Sequence, residues 1–374
     1  MILIIDASNI KSGGGLTHLT EILKFDFPIE MGFESVFVFA PNKTLKKLPQ
    51  KSWLFKMGHN WLNSGYFHLL IWKIFIFNKF IKRNRGLVFI PGTGFCLKPF
   101  VTMCRNLLPM ELKEINRFFF SKEWIRLLFL RFIHLLSYNR AYGIIFLNSY
   151  CREVIENQLK LRDGNRNIVI GHGLNKSVFI NENIIQKKQR IPFNLIYVST
   201  VNLYKHQWLI VDAIDDLNQS GYSIRITFVG NSEPSAYKKL LSSFKKAKNP
   251  DYFNYVGAVE YEKLSYYYNE SDAFIFGSTC ETFGMVILEA MACGLPVLCS
   301  NCSSMPSTFQ NIPIYFDINN PQSIKDAIIK IYNNDEICQN MSMESRNFSE
   351  KFSWEDTSRN TFTYLSNISK SIYN

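Results

Sequence analysis

Short apolar runs bounded by polar or glycine-containing turns recur along the whole chain. Ile2–Asp6, Glu34–Ala40, Leu87–Ile90, Val101–Cys104 and Gly143–Leu147 are apolar without alternation, as strands buried on both faces are. Asn167–Gly173, reading NIVIGHG, closes this first series. The stretch from Leu174 to Ile191 is polar, carries Lys187-Lys188 and stops at Pro192, so it predicts a linker. A second series follows at Phe193–Ser199, Ile224–Val229, Phe253–Val256, Ala273–Phe276, Val297–Ser300 and Ile314–Phe316. Helical stretches are expected between the strands at Leu16–Met31, Phe118–Leu136, Pro234–Lys248, Tyr261–Tyr268 and Pro321–Asn333, and at the end over Ser353–Ile372. Strand–helix alternation predicts an α/β protein with parallel, doubly wound sheets. At 374 residues there is material for two cores. The expected division is a first domain over 1–175, a second over 192–352, and a final helix over 353–374.

The stretch Ala273–Ser300, AFIFGSTCETFGMVILEAMACGLPVLCS, holds the most chemistry. A buried strand leads through a polar turn, Gly277–Thr282, into an apolar helix from Phe283 to Cys293. Gly294 suits a left-handed cap, and Pro296 a fresh start after it. A helix that starts at a strand end leaves backbone N–H groups free, here around Gly284, Met285 and Val286, and the helix dipole favours phosphate there, so the backbone from Phe283 to Val286 is expected to receive phosphate or sugar oxygens. Gly284 has no side chain to obstruct the approach. Glu289, one to two turns on, can accept two hydrogen bonds from a ribose diol, and Glu281 at the turn can do the same for hydroxyls of a second sugar. Without a ligand, Glu281 reads as a helix N-terminal acid and Glu289 as a surface residue. The apolar Met285, Val286, Ile287, Leu288, Met291 and Ala292 leave Glu289 no polar face, which argues against the second of these.

The E-x7-E spacing, entered through ETFG and followed by AMACGLPV, resembles the signature of the retaining glycosyltransferases of family 4. The resemblance implies the GT-B fold, two Rossmann-like domains facing across a cleft, with a nucleotide-sugar donor held mainly by the C-terminal domain. It implies a donor-diphosphate role for the glycine loop after the first strand, so Gly14 and Gly15 of Gly13-Gly14-Gly15 are expected to bind donor. It also implies a cation after the first strand of the second domain. Lys205 matches that position, while Thr200 stands where the family has Arg. Negative charge grows on the leaving diphosphate, and a fixed ammonium stabilises it. Without the Arg, that work is left to Lys205, the glycine loop and the helix N-terminus, with another Arg or a metal as compensation. No metal or other cofactor is expected. Asn106 stands at or near a His that lines the cleft in many relatives, and is expected to hydrogen-bond the sugar or the acceptor. Arg105 beside it would assist an anionic acceptor phosphate. His172 takes a place usually held by Asn and reads as a turn residue. YVST-x3-YKHQ resembles a branch acting on bacterial surface polysaccharides such as O-antigen or capsule.

Charge alters this picture in the first half. Residues 1–180 hold 25 Lys and Arg against 11 Asp and Glu, while residues 181–374 hold 17 against 20. Trp53–Arg85 and Phe118–Leu136 are aromatic and basic together, and neither offers an uncharged span long enough to cross a bilayer. Aromatic and Leu residues interleaved with Lys122, Arg126 and Arg131 suit a helix lying in a bilayer interface. The alternative is a pair of core-facing helices with solvated basic faces. No nucleic-acid motif accompanies the charge, so an anionic membrane surface is the expected partner and nucleic acid is not. His134, in an apolar helix, reads as structural.

Eight cysteines include one C-x-x-C at Cys299–Cys302, with no second pair to complete a zinc site. Met1 leads directly into a strand, so a reduced cytoplasmic chain, peripheral on the inner membrane face, is expected. The expected activity is transfer of a hexose or N-acetylhexosamine from a UDP-sugar to a lipid-linked oligosaccharide. A nucleotide-sugar epimerase of the same fold, or a degenerate subunit supporting a partner transferase, are the competing readings.

Overall fold

A computed structural model describes residues 1–94, 96–159, 166–179 and 191–373. Of the expected linker Leu174–Ile191, residues 180–190 lie outside the described residues. The chain forms two compact units. Met1–Met110, Ser121–Gly173 and Ser353–Asn374 make the first, and Glu111–Phe120 with Leu174–Phe352 make the second. Residues 111–120, assigned from the sequence to the first domain, therefore belong with the second. The segment is too short to carry a periodic signal, and tertiary contacts decide its place. Glu114 within it accepts a hydrogen bond from Thr279 Oγ1 at 2.7 Å.

The first unit is built on seven parallel strands: β1 (Ile2–Asp6), β2 (Ser35–Phe39), β3 (Leu54–Met57), β4 (Gly86–Ile90), β5 (Phe100–Met103), β6 (Gly143–Phe146) and β7 (Ile168–Val169). Their order across the sheet is β3-β2-β1-β4-β5-β6-β7, which puts the most hydrophobic strands at the centre. Ile4 pairs with Phe37 on one side and Val88 on the other. β3 falls inside the basic aromatic stretch from Trp53, whose alternating Leu54-Phe55-Lys56 fits a half-exposed edge strand better than a helix. The rest of that stretch is helical over Tyr66–Trp72, Lys73–Phe77 and Asn78–Arg83, the middle part in π geometry. Its inner face buries Trp72, Phe77 and Ile81 against Ile4, Val88 and Phe100.

The helix expected over Leu16–Met31 is two helices, Gly13–Ile22 and Phe27–Glu30. Pro28 explains the break, because its ring and missing N–H belong in a first helical turn. The three glycines open the first of these helices and are not a separate loop. The final helix, Trp354–Tyr373, packs on this unit. Its buried serines supply donors to backbone oxygens that the broken helix leaves over: Ser358 Oγ to Ile22 and Ser366 Oγ to Met31, each at 2.7 Å.

The second unit has six parallel strands: β8 (Phe193–Val198), β9 (Ile224–Val229), β10 (Phe253–Gly257), β11 (Ala273–Phe276), β12 (Val297–Ser300) and β13 (Ile314–Phe316). Their order is β10-β9-β8-β11-β12-β13. The order reverses between β8 and β11, and such switch points open a crevice at the carboxyl ends of the strands. A helix over Asp335–Ser349, which the strand pattern does not reveal, packs on the helix Met285–Ala292. No disulfide joins the eight cysteines, and no described helix is long and apolar enough to cross a membrane.

Gly173, at the end of the first unit's second segment, touches the start of the final helix. A Cβ there would collide with the Trp354 backbone nitrogen and lie 2.5 Å from the Ser353 carbonyl carbon. Neither neighbour can rotate away. Gly173→Ala is expected to cost about 1–3 kcal/mol of stability, read as a lowered urea midpoint, and an unchanged midpoint would refute the close packing.

Candidate functional site

In the second unit the expected residues gather at the carboxyl ends of β8 and β11. After β8 the chain passes Thr200 and turns through a short 3-10 segment, Leu203–Lys205. His206 then adopts a left-handed conformation, φ 54°, before the helix Gln207–Gln219. Two bonds hold this turn in place. Tyr197 Oη donates to the Lys205 carbonyl at 2.5 Å, and the Gly277 N–H donates to that same phenol oxygen at 3.1 Å. Thr200 is exposed, and its carbonyl accepts from Gln207 Nε2 at 3.2 Å.

The side chain of Lys205 is only 10% exposed and forms an ion pair with Glu281, whose own side chain is 17% exposed. The ammonium also lies 4.8 Å from the Phe276 ring centre and 5.0 Å from that of Tyr204. Burial lowers the Lys205 pKa to about 7. The adjacent carboxylate opposes that loss of charge, since an unpaired buried ammonium would shed its proton. Glu281 is fixed in turn by Ser303, which receives its N–H at 3.1 Å and donates to its carbonyl at 2.9 Å. Lys205 and Glu281, derived separately from the sequence, are thus one unit of structure.

The helix beyond Glu281 runs from Met285 to Ala292, with Gly284 as its left-handed N-cap at φ 88°. Glycine is required there twice over, by its φ and by Phe309, whose ring carbon would lie 2.9 Å from a Cβ. Ile287 N–H is bonded to the Gly284 carbonyl at 2.9 Å, and the first-turn donors of Met285 and Val286 precede it, where a helix has no acceptor of its own. Phe283 is buried behind this opening. Glu289 is buried at 4% exposure and accepts from Tyr268 Oη at 3.2 Å. Burial raises its pKa from the ordinary 4.5 to about 8, with hydrogen bonds from Tyr268 and Tyr261 pulling the other way. It is therefore neither a surface residue nor, near neutral pH, fully ionised.

Residues that the sequence reading missed surround this pair. Thr279 Oγ1 meets His206 Nε2 at 3.2 Å as well as Glu114, and Arg117 Nε pairs with Glu114 at 2.7 Å. Glu114 and Arg117 come from the short segment 111–120, so only the tertiary structure could reveal them.

The first unit holds the remaining expected residues. Nothing lies near a Cβ built at Gly14, but one at Gly15 would collide with Arg105 Nη1. The same guanidinium leaves 3.0 Å for a Cβ at Gly92. These two glycines therefore make room for an arginine. Burial lowers the Arg105 pKa to about 10, which leaves it charged at neutral pH. Asn106 is exposed, and its side chain accepts the Leu108 N–H at 3.2 Å. His172, expected as a turn residue, is buried, with its Nδ1 3.1 Å from Nδ1 of His18 and its ring 5.7 Å from that of Trp354. Burial lowers its pKa to about 3. Among the described residues no group of three or more His, Cys, Asp or Glu is arranged to hold a metal ion.

Glu289 gives this site a pH signature. The folded protein keeps its carboxyl protonated up to about pH 8, whereas the unfolded chain does so only to about 4.5. Stability from the neutral carboxyl is complete below 4.5 and is lost as pH rises toward 8. Wild type should lose stability relative to Glu289→Gln between about pH 5 and about pH 8.5, measured by urea unfolding at both. A parallel decline in the two proteins would refute the assignment.

Residues 180–348 match the family model described as glycosyl transferases group 1. An uncharacterised glycosyltransferase of Methanocaldococcus jannaschii is 26% identical over 215 residues, 57% of this chain and 56% of that one. The O-antigen chain mannosyltransferase B of Escherichia coli is 33% identical over 110 residues, 29% of each chain. The aligned stretches thus span about half and under a third of these relatives' own lengths. The crystal structure of HepE from Anabaena in complex with UDP and glucose matches with a TM-score of 0.71 at 15% identity, over 98% of this chain and 100% of that one. That likeness is one of fold, and the fold is GT-B.

Proposed function

We propose that this protein, a transferase through the group 1 glycosyltransferase module in residues 180–348, is a retaining, metal-independent enzyme. It moves a hexose or N-acetylhexosamine from a UDP-sugar to a lipid-linked oligosaccharide of a bacterial surface polysaccharide, O-antigen or capsule, working at the inner membrane face. The observation that carries this reading is the buried Lys205–Glu281 pair beside the helix start at Gly284, with Glu289 further along the same helix. A diphosphate reaching that helix start meets first-turn N–H groups and an ammonium held in a low-dielectric setting, where charge is worth most. Lys205 stabilises the leaving diphosphate. Glu281 orients Lys205 and takes hydrogen bonds from the sugar hydroxyls, and Glu289 holds the ribose diol. Phe283 to Val286 offer backbone donors, with Thr200 at the edge. For the first unit the family resemblance assigns Gly14 and Gly15 to the donor and Asn106 to the sugar or acceptor, with Arg105 assisting an anionic acceptor phosphate.

Similarity to an O-antigen mannosyltransferase and to a protein whose structure holds UDP supports these substrate classes. The acceptor's membrane origin is supported by the first unit's exposed aromatics beside basic residues, among them Phe75, Phe129 and Arg126.

Purified protein given UDP-sugars and a lipid-diphosphate glycan should transfer sugar with retained anomeric configuration, at a rate that a chelator leaves unchanged. Lys205→Ala should lower kcat by roughly a hundred- to a thousandfold, the scale of losing one oriented charge in a transition state. Epimerised donor without acceptor, or an undiminished Lys205→Ala rate, would refute the proposal. Flotation with phosphatidylglycerol vesicles should carry the protein upward at low salt and progressively less as salt rises. Absence of binding at every salt concentration would remove the membrane from it.

A further inference from the structure

The first unit contains an apolar cavity of about 330 Å³ between the helical stretch Tyr66–Arg83 and the helix Lys122–Arg140. Its walls are Leu69, Ile74 and Phe77 from the first, and Phe129, Leu130 and Ile133 from the second. The wall that carries Lys73, Ile74 and Phe77 is the π-helical segment, a geometry that recurs at functional sites. The cavity has one polar end. Asn9 follows β1, and Thr93 and Gly94 follow β4, so that end lies at the carboxyl edge of the sheet, where such folds bind ligands. Lys73 is there too, paired with the buried Asp6 at 2.8 Å. His134 lines the cavity at 3% exposure, with its Nε2 2.7 Å from Thr93 Oγ1. Its Nδ1 is buried and makes no hydrogen bond among the described residues. A polar atom buried without a partner is costly, and the polar groups lining that end, Asn9, Thr93 and His134, are the ones a ligand oxygen there would meet.

Of the residues lining the cavity, Leu97, at 66%, and Ile74 and Phe129 are exposed hydrocarbon, and Phe75 and Phe132 on the same helical stretches are exposed as well. The same two stretches carry Lys82 and Arg83 at the end of one and Lys122 and Arg126 near the start of the other, Arg126 paired with Glu123. Exposed apolar side chains on elements that also carry cations complement an anionic bilayer surface.

We propose that this cavity takes one hydrocarbon chain of the lipid-linked acceptor, drawn from the bilayer through the Leu97–Phe129 rim, with the acceptor's first polar oxygens at the His134 end. The assignment rests on the transferase reading above and identifies where that reaction's acceptor is anchored. It also changes the part given to His134, from a residue filling a core to one that ends a ligand site.

The test is calorimetric titration of the full chain with n-alkyl phosphates from hexyl to dodecyl, each below its micelle concentration. Affinity should rise roughly fourfold for each methylene that enters the cavity, the factor equivalent to ~0.8 kcal/mol per buried CH₂, and then level off once the cavity is full. Ile133→Trp, which fills the space, should abolish the chain-length dependence while UDP binding stays as in wild type. Leu97→Glu, an exposed change that leaves the core intact, should weaken all the longer probes. Wild-type affinity that does not vary with chain length, while UDP still binds, would overturn the cavity assignment and leave the transferase reading standing. Chain-length dependence without transfer from any nucleotide sugar would sustain the cavity and sink the acceptor role. A dimer that Ile133→Trp dissociates, with no alkyl phosphate bound by wild type, would overturn the proposal in favour of a second copy as occupant.

Discussion

An ammonium group cannot be kept charged in a protein interior unless something answers it, and in this protein Glu281 answers Lys205. Much of the second unit's local architecture serves that pairing. Tyr197, near the carboxyl end of β8, fixes the backbone of Lys205 and the start of the loop after β11 with one hydroxyl. Ser303 holds the other partner. The result is a charge pair whose components come from consecutive loops at the switch point of the sheet, beside a helix whose glycine cap leaves its first donors open. Removing either member would strand its partner in a low-dielectric setting.

Glu289 solves a different problem by a different route. Among the described residues no cation accompanies it, and burial shifts it toward the neutral form, with Tyr268 as its hydrogen-bond donor. Two carboxylates eight positions apart along the chain thus have different surroundings. One is ion-paired with Lys205, and the other, Glu289, is pushed toward its neutral form by burial among phenols and apolar side chains. Such a division suits a site that must meet phosphate at one end and hydroxyls at the other.

In the first unit the glycines illustrate how a motif read along the chain can meet a different neighbour in space. Glycines after β1 suggest a ligand approaching the backbone. At Gly15, however, the space belongs to Arg105, which arrives from beyond β5, about ninety residues later. A vacancy left by glycine and filled by a guanidinium is invisible along the chain, because the two residues meet only when β1, β4 and β5 lie side by side. The same holds for His172, which looks like a turn residue and is packed between His18 and Trp354.

The sequence by itself determined the alternation of buried strands and helices, the two-unit α/β organisation, and the strand–turn–helix carrying Glu281 and Glu289. Those features are local: each follows from a run of apolar residues or from a glycine at a turn, and neighbours in the chain enforce them. It also marked the first half as basic and aromatic, since composition survives any folding. Only the tertiary structure decided that Lys205 and Glu281 are one pair, that residues 111–120 lend Glu114 and Arg117 to the second unit, and that the helix expected at Leu16–Met31 is divided. Only the tertiary structure turned two amphipathic stretches into the walls of a cavity. Pairings across dozens of residues depend on which strands are adjacent and how side chains fill the space between them, and a one-dimensional pattern carries no record of either.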